Sequence, residues 1–175
     1  MSRVLIGLCL VLVFAGASRA QSQDFPKWDF TAAYTLNRFE TPPPQTRHNF
    51  NGFTGAIGWN FRRYAAVEGD ITTTTKSFGG VSHTLTTYIG GLRFTKRNRV
   101  AQPFAHVMVG GGHLTGFGSS TNGWAGKFGG GLDVVAGKHV AVRVFQVDYY
   151  RYHGHVAVGT QRLNNAAFTF GVRFF

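Results

Sequence analysis

The sequence predicts an all-β protein, an eight-stranded antiparallel transmembrane β-barrel preceded by a cleavable signal peptide. Three observations predict it. Eight successive stretches read as strands, and in all but the fifth apolar and polar residues alternate with a period of two, the pattern of strands with unlike faces. After residue 20, no uncharged apolar run approaches the ~20 residues that a membrane helix needs. The composition, with 24 Gly and 17 Phe among 175 residues, suits a glycine-rich, aromatic-rich sheet better than a helical bundle.

The first twenty residues read as an export signal. Arg3 is the positive n-region, residues 4–15 form a short apolar core, and Ser18, Arg19 and Ala20 make a small-x-small cleavage site. Cys9, the single cysteine, lies in this leader. Leu8 precedes it where a lipoprotein acceptor site wants a small residue, so lipidation is not expected. The expected domains are thus a signal peptide at 1–20 and a barrel at 21–175. Removing Arg3 and Arg19 leaves sixteen Lys and Arg against seven Asp and Glu, a formal charge of +9. A basic surplus often signals nucleic acid. Export argues against that partner, and anionic lipid head groups account for the surplus better.

The strands follow in order. In 27–37, Trp28, Phe30, Ala32, Tyr34 and Leu36 oppose Lys27, Asp29, Thr31, Thr35 and Asn37. In 51–61, Phe53, Ile57, Trp59 and Phe61 oppose Thr54, Gly58 and Asn60. In 64–74, Val67 and Ile71 oppose Glu68 and Asp70. In 82–94, Tyr88, Leu92 and Phe94 oppose His83, Thr87 and Arg93. The stretch 100–112 is ambiguous because both faces are largely apolar. Its Pro103 belongs near a rim, where a missing ladder donor costs least. In 123–136, Trp124, Phe128, Leu132 and Val134 oppose Lys127 and Asp133. The seventh starts at Val140 with Val142 and Val144 opposing Arg143, then changes parity so that Gln146 and Asp148 are the polar set. A β-bulge is expected near Val144 and Phe145. In 163–175, Phe168, Phe170, Val172 and Phe174 oppose Asn165, Thr169 and Arg173.

Each stretch is near or above the ~9–11 residues needed to cross a bilayer at a tilt. Short connections are expected at 61–63, 95–99 and 136–139, and longer ones at 38–50, 75–81, 113–122 and 151–162. Such asymmetry matches short periplasmic turns and longer outer loops, with both termini periplasmic. Alternation alone also fits a soluble barrel with a greasy interior. Aromatic residues near strand ends favour lipid: Trp28, Trp59, Phe61, Phe94 and Phe174 toward the short turns, Tyr34, Trp124 and Tyr149 toward the long loops.

In lipid an open sheet edge is costly, so the eighth strand should pair with the first. The ionisable residues then form a lumen ion network of Asp29, Glu68, Asp70, Arg93, Lys127, Asp133, Arg143 and Arg173. Asp29 and Arg173 should approach each other across the closing seam, and Asp133 and Arg143 should pair beside one turn. Glu68 and Asp70 need basic partners, with Arg93 and Lys127 the candidates.

Several stretches resemble the small outer-membrane β-barrels of the OmpA-like and opacity-protein type, over roughly residues 25–175. They are 88–94, with Tyr88, Gly90, Gly91, Leu92 and Phe94; 103–112, with Pro103, Phe104, Ala105, His106 and Gly110, Gly111 and Gly112; and 168–175, ending in Phe174 and Phe175. The resemblance implies a Gram-negative outer-membrane location. It also implies an assembly signal at Phe170, Val172, Phe174 and Phe175, read by the barrel-assembly machinery. The apolar alternation runs through Phe174 rather than the terminal Phe175.

Function is less legible. The expected role is structural or surface-interacting, as a monomer whose outer loops contact lipopolysaccharide, other outer-membrane lipids or external ligands, with no enzyme activity, cofactor or nucleic acid. The alternative is a narrow, porin-like channel. Eight strands leave an interior about wide enough for side chains to fill, which argues against a wide pore. Third is a lipid-modifying enzyme using Ser119 or Ser120 with histidines at the same end, although no motif surrounds them. His48, His83, His113, His153 and His155 all map to the outer-loop end. His153 and His155, two apart, are the only metal candidates, and no ligand spacing supports them. The glycine runs lack a phosphate-loop lysine and suit barrel curvature. Pro42, Pro43 and Pro44 would stiffen the first outer loop.

Overall fold

A computed structural model describes residues 25–40, 47–78, 81–116, 119–156 and 159–175. The expected leader and the proline run at 42–44 lie outside the described residues. Eight strands form one closed antiparallel barrel: β1 (Trp28–Glu40), β2 (Arg47–Arg62), β3 (Ala65–Phe78), β4 (Val81–Thr95), β5 (Ala101–Gly116), β6 (Ser119–Val135), β7 (Val140–Val156) and β8 (Gly159–Phe174). Each pairs with its neighbour in sequence, and β8 closes on β1 from Phe30↔Phe174 to Phe39↔Asn165. Closure leaves no edge with unpaired amides and carbonyls.

Following paired residues around the wall from Trp28 leads through Trp59, Val67, Leu92, Val107, Phe128, Tyr149 and Ala166 back to β1 at Arg38, ten residues on. A stagger of that size over eight strands, with a rise of ~3.3 Å and a spacing of ~4.8 Å, tilts the strands by about 40° from the barrel axis.

The parity change in β7 produces the expected bulge. The β7–β8 register shifts between Arg143 and Gln146, and Val144 and Phe145 both face outward. The bulge turns Arg143 and Gln146 to the same, inner side. Pro103 sits near the short-turn end of β5. The ambiguity of β5 resolves with Val107 and Val109 outside and His106 and Met108 inside.

The expected loop asymmetry is overturned at three of the four outer connections, while the first, between Glu40 and Arg47, lies outside the described residues. The strands run 13 to 17 residues, longer than one bilayer crossing requires. β3 and β4 therefore stop only at Phe78 and Val81, β5 and β6 at Gly116 and Ser119, and β7 and β8 at Val156 and Gly159. Much of what reads as long loops is paired strand, and Ser119 and Ser120 belong to β6 rather than a loop. The polar outward residues there still satisfy their backbones by pairing. On the β3–β4 arm the outward hydroxyls of Thr73 and Thr86, Thr75 and Thr84, and Ser77 and Ser82 lie 3.2 Å apart in each pair. Tyr34, expected near the long-loop rim, lies mid-strand between Phe53 and Phe170.

Polarity is inverted relative to a water-soluble barrel. Phe30, Phe53, Phe128 and Phe170 are exposed on the outside, Phe53 by 71%. Arg93 and Arg173 are fully enclosed at 0%.

Candidate functional site: the barrel lumen and its two rims

Inward positions of β1, β3, β4, β6, β7 and β8 place the eight expected ionisable residues in one enclosed network. Arg93 is its hub. Its guanidinium donates to Asp29 at 2.6 and 3.0 Å and also to Glu68. Arg173 donates to Asp29 at 2.9 Å and to Asp133 at 3.1 Å. The Asp29–Arg173 pair thus spans the closing seam. Arg143 grips Asp133 at 2.8 and 3.2 Å, and Lys127 donates to Asp70 at 2.8 Å. Buried carboxylates are costly unless ion-paired and hydrogen-bonded, and these meet both conditions.

Four residues enter the network without having been singled out. The His106 Nε2 lies 2.8 Å from Asp148, and its Nδ1 lies 3.5 Å from Glu68. Gln146 accepts from Arg143 at 2.6 Å and donates to Asp148 at 2.6 Å. Asn60 donates to Asp29 at 2.7 Å. The parity of β7 already put Gln146 and Asp148 on the polar face, and Asn60 shares the polar face of β2. His106 was hidden because both faces of β5 look apolar. Two glycines make room for this crowd. A Cβ on Gly58 would meet Asp29 Oδ1 at 2.8 Å and Arg93 Nη2 at 2.9 Å, and one on Gly129 would meet Asp148 Oδ1 at 2.2 Å.

Further from the short turns the lumen changes character. The hydroxyls of Thr35 and Thr54 lie 2.6 Å apart, those of Thr54 and Thr72 2.8 Å, and those of Thr35 and Thr169 2.9 Å. Thr72 donates to Asp70, joining this chain to the ion network. On the opposite wall Leu85, Ile89, Met108, Ala125 and Tyr150 form an apolar cluster, with Phe50 and Leu114 against it.

At the short-turn mouth, Arg97 donates to Asn60 at 2.7 Å and to the Arg63 carbonyl at 2.7 Å. Burial, together with the charge of Arg173, pushes the Arg97 guanidinium down to about 10. The final strand of the expected assembly signal has Phe170 and Phe174 outside, with Val172 half-buried between them. The Phe175 amide donates to the His139 carbonyl at 3.0 Å.

At the other end, His153 stacks on Trp124 with ring centroids 4.4 Å apart and planes 6° from parallel. His113 Nδ1 lies 2.6 Å from Asn122 Oδ1. The side chains of Glu40, His48, Ser119 and His155 lie outside the described residues. Among the described residues, no group of three or more His, Cys, Asp or Glu is arranged to hold a metal.

No protein-family model and no curated protein sequence matches the chain. Solved structures do. Neisserial surface protein A (NspA) superposes with a TM-score of 0.69 at 9% identity, covering 85% of this chain and 97% of that one. Ail, the attachment invasion locus protein of Yersinia pestis, gives 0.51 at 16% identity over 84% and 97%. The same protein in complex with the heparin analogue sucrose octasulfate gives 0.53 at 16% over 85% and 100%. The closed eight-stranded barrel described here is therefore the fold of these small outer-membrane barrels.

Proposed function

We propose that the chain is an outer-membrane barrel of a Gram-negative bacterium, with a structural or surface-interaction role. The carrying observation is the inverted polarity: an outer wall of exposed Phe, Trp, Ile and Val around a lumen of paired charges. In water such a wall would drive association; among acyl chains it is the favourable surface. Trp28, Trp59, Phe61, Phe94 and Phe174 ring the short-turn end, where an interfacial aromatic girdle belongs. Trp124 lies toward the far edge of the band. The termini then face the periplasm, and the long polar arms project outward.

The arms support a role in surface contact with lipopolysaccharide or external polyanions. Arg38 and Arg151 are exposed, two residues beyond the outward-facing Leu36 and Tyr149. That height suits phosphates at the outer edge of a bilayer. The filled lumen argues against an open pore.

The test is heat-modifiability of the membrane fraction on a gel, with and without boiling. A closed barrel in the outer membrane should change mobility on boiling. Recovery in the soluble fraction without a shift would overturn the assignment.

A further inference from the structure

Six exposed cationic side chains crowd the short-turn rim: Lys27, Arg62, Arg63, Lys96, Arg99 and Lys138. Among the described residues, the acidic groups nearest this rim, Asp29 and Asp133, are enclosed in the lumen and held there by arginines. Among the described residues the exposed charge of this crown is positive.

Lys96 also stands at the end of a groove. Tyr64, Phe94, Lys96, Pro103 and Ala105 border a shallow, open groove of about 480 Å³ on the outside of the barrel. Local sequence opens it. The Lys96 amide donates to the Pro103 carbonyl at 2.9 Å, but proline has no N–H to return the bond. Regular β4–β5 pairing ends at Thr95↔Phe104, and the two chains part after the single Lys96–Pro103 bond. The small Ala105 side chain keeps the floor low, and the exposed rings of Tyr64 and Phe94 form the walls. The groove is continuous with the apolar outer band through Phe94.

We propose that this groove holds one anionic phospholipid of the periplasmic leaflet. Lys96 and Arg63 take its phosphate, and an acyl chain lies along Phe94 and Ala105. The assignment rests on the membrane reading above and adds a defined lipid site to it. The polarity of the site selects the occupant: exposed cations at the rim and apolar walls toward the bilayer match a negative headgroup above a hydrocarbon tail. The same chemistry disfavours a soluble anion, which would leave Tyr64 and Phe94 uncovered.

Native mass spectrometry of the full protein, released from nanodiscs of phosphatidylethanolamine mixed with phosphatidylglycerol, tests the site. The wild type should retain phosphatidylglycerol in preference to phosphatidylethanolamine. The R63Q/K96Q variant should lose that adduct by about thirtyfold, the scale of two lost headgroup contacts. Ala105→Trp fills the groove without changing charge and should lower the adduct as well. K27Q/K138Q removes the same charge elsewhere on the rim and should leave it nearly unchanged. An equal loss in K27Q/K138Q, or full retention in Ala105→Trp, would overturn the groove in favour of a diffuse cationic field. Equal retention of both lipids by the wild type would overturn it too. A wild-type barrel that shifts on boiling yet shows no preference defeats only the lipid site; failure to shift defeats the membrane assignment itself.

Discussion

The short-turn half of the lumen and the opposite half are filled by different means. From the short turns up to mid-height, long charged side chains reach across the tube. Arg93 on β4 holds Asp29 on β1, Lys127 on β6 holds Asp70 on β3, and Arg173 on β8 holds Asp133 on β6. Further out, threonine hydroxyls link only adjacent strands, β8 to β1 to β2 to β3, and the remaining wall is covered by apolar packing from β4 to β7. Reach explains the contrast: a guanidinium on a three-carbon stem spans the interior, and a hydroxyl on Cβ does not. Bonds between distant strands brace the tube's cross-section, whereas bonds between neighbours reinforce a seam that backbone pairing already holds.

That difference predicts a graded response to mutation. The largest effect belongs to the hub. Arg93→Met strips Asp29 and Glu68 of a shared cation in an enclosed site, and breaking a buried pair costs about 3–5 kcal/mol. Urea unfolding of the protein in lipid vesicles should show this loss, and a change below about 1 kcal/mol would mean that the network is not a brace. A double change of Arg93 with Asp29 to apolar residues should recover part of it.

The apolar wall comes next. Ile89→Ala removes packing among Leu85, Met108 and Ala125 and should cost about 2–3 kcal/mol in the same measurement. A cost matching that of Arg93→Met would erase the distinction between the two halves. Thr54→Val interrupts the hydroxyl chain between Thr35 and Thr72 at nearly constant volume. The expected cost is about 1 kcal/mol, with the heat-shift on gels unchanged.

The smallest expected effect concerns conductance. The charged side chains and the apolar cluster fill one lumen side by side, with Ile89 paired to Asp70 and Met108 and Tyr150 flanking Lys127, so truncating one side chain leaves the rest of the plug in place. The wild type and Ile89→Ala should both give no single-channel steps in a planar bilayer. Discrete steps in the wild type would favour the narrow-channel alternative.

Much of the fold is legible in the chain because its alternation is local. Trp28, Phe30, Tyr34 and Leu36 already declare the outer face of β1, and the parity change after Arg143 already declares the bulge. The lumen residues were legible as a set for the same reason: the face opposite the aromatics collects Asp29, Glu68, Asp70, Arg93, Lys127 and Arg173. The arms were not legible. In their Thr-, Ser- and His-rich stretches both faces are polar, so period two leaves no contrast, and paired strand reads as loop. His106 was missed for the complementary reason, since β5 is apolar on both faces and nothing local marks its inner side.

By itself, the sequence determined the number of strands, the face that every strand but β5 turns outward and the bulge, because side chains on successive residues of a strand must point to opposite sides. Only the tertiary structure decided that Arg93 meets Asp29 and that His106 sits between Asp148 and Glu68. Those meetings depend on the ten-residue stagger at which β8 closes on β1, which sets the diameter and height at which side chains from distant strands come within reach. The parting of β4 from β5 at Pro103 belongs to both: the missing N–H is written in the chain, but the groove exists only because β4 pairs with β3 on one side and β5 on the other, which brings Tyr64 and Ala105 to its two sides.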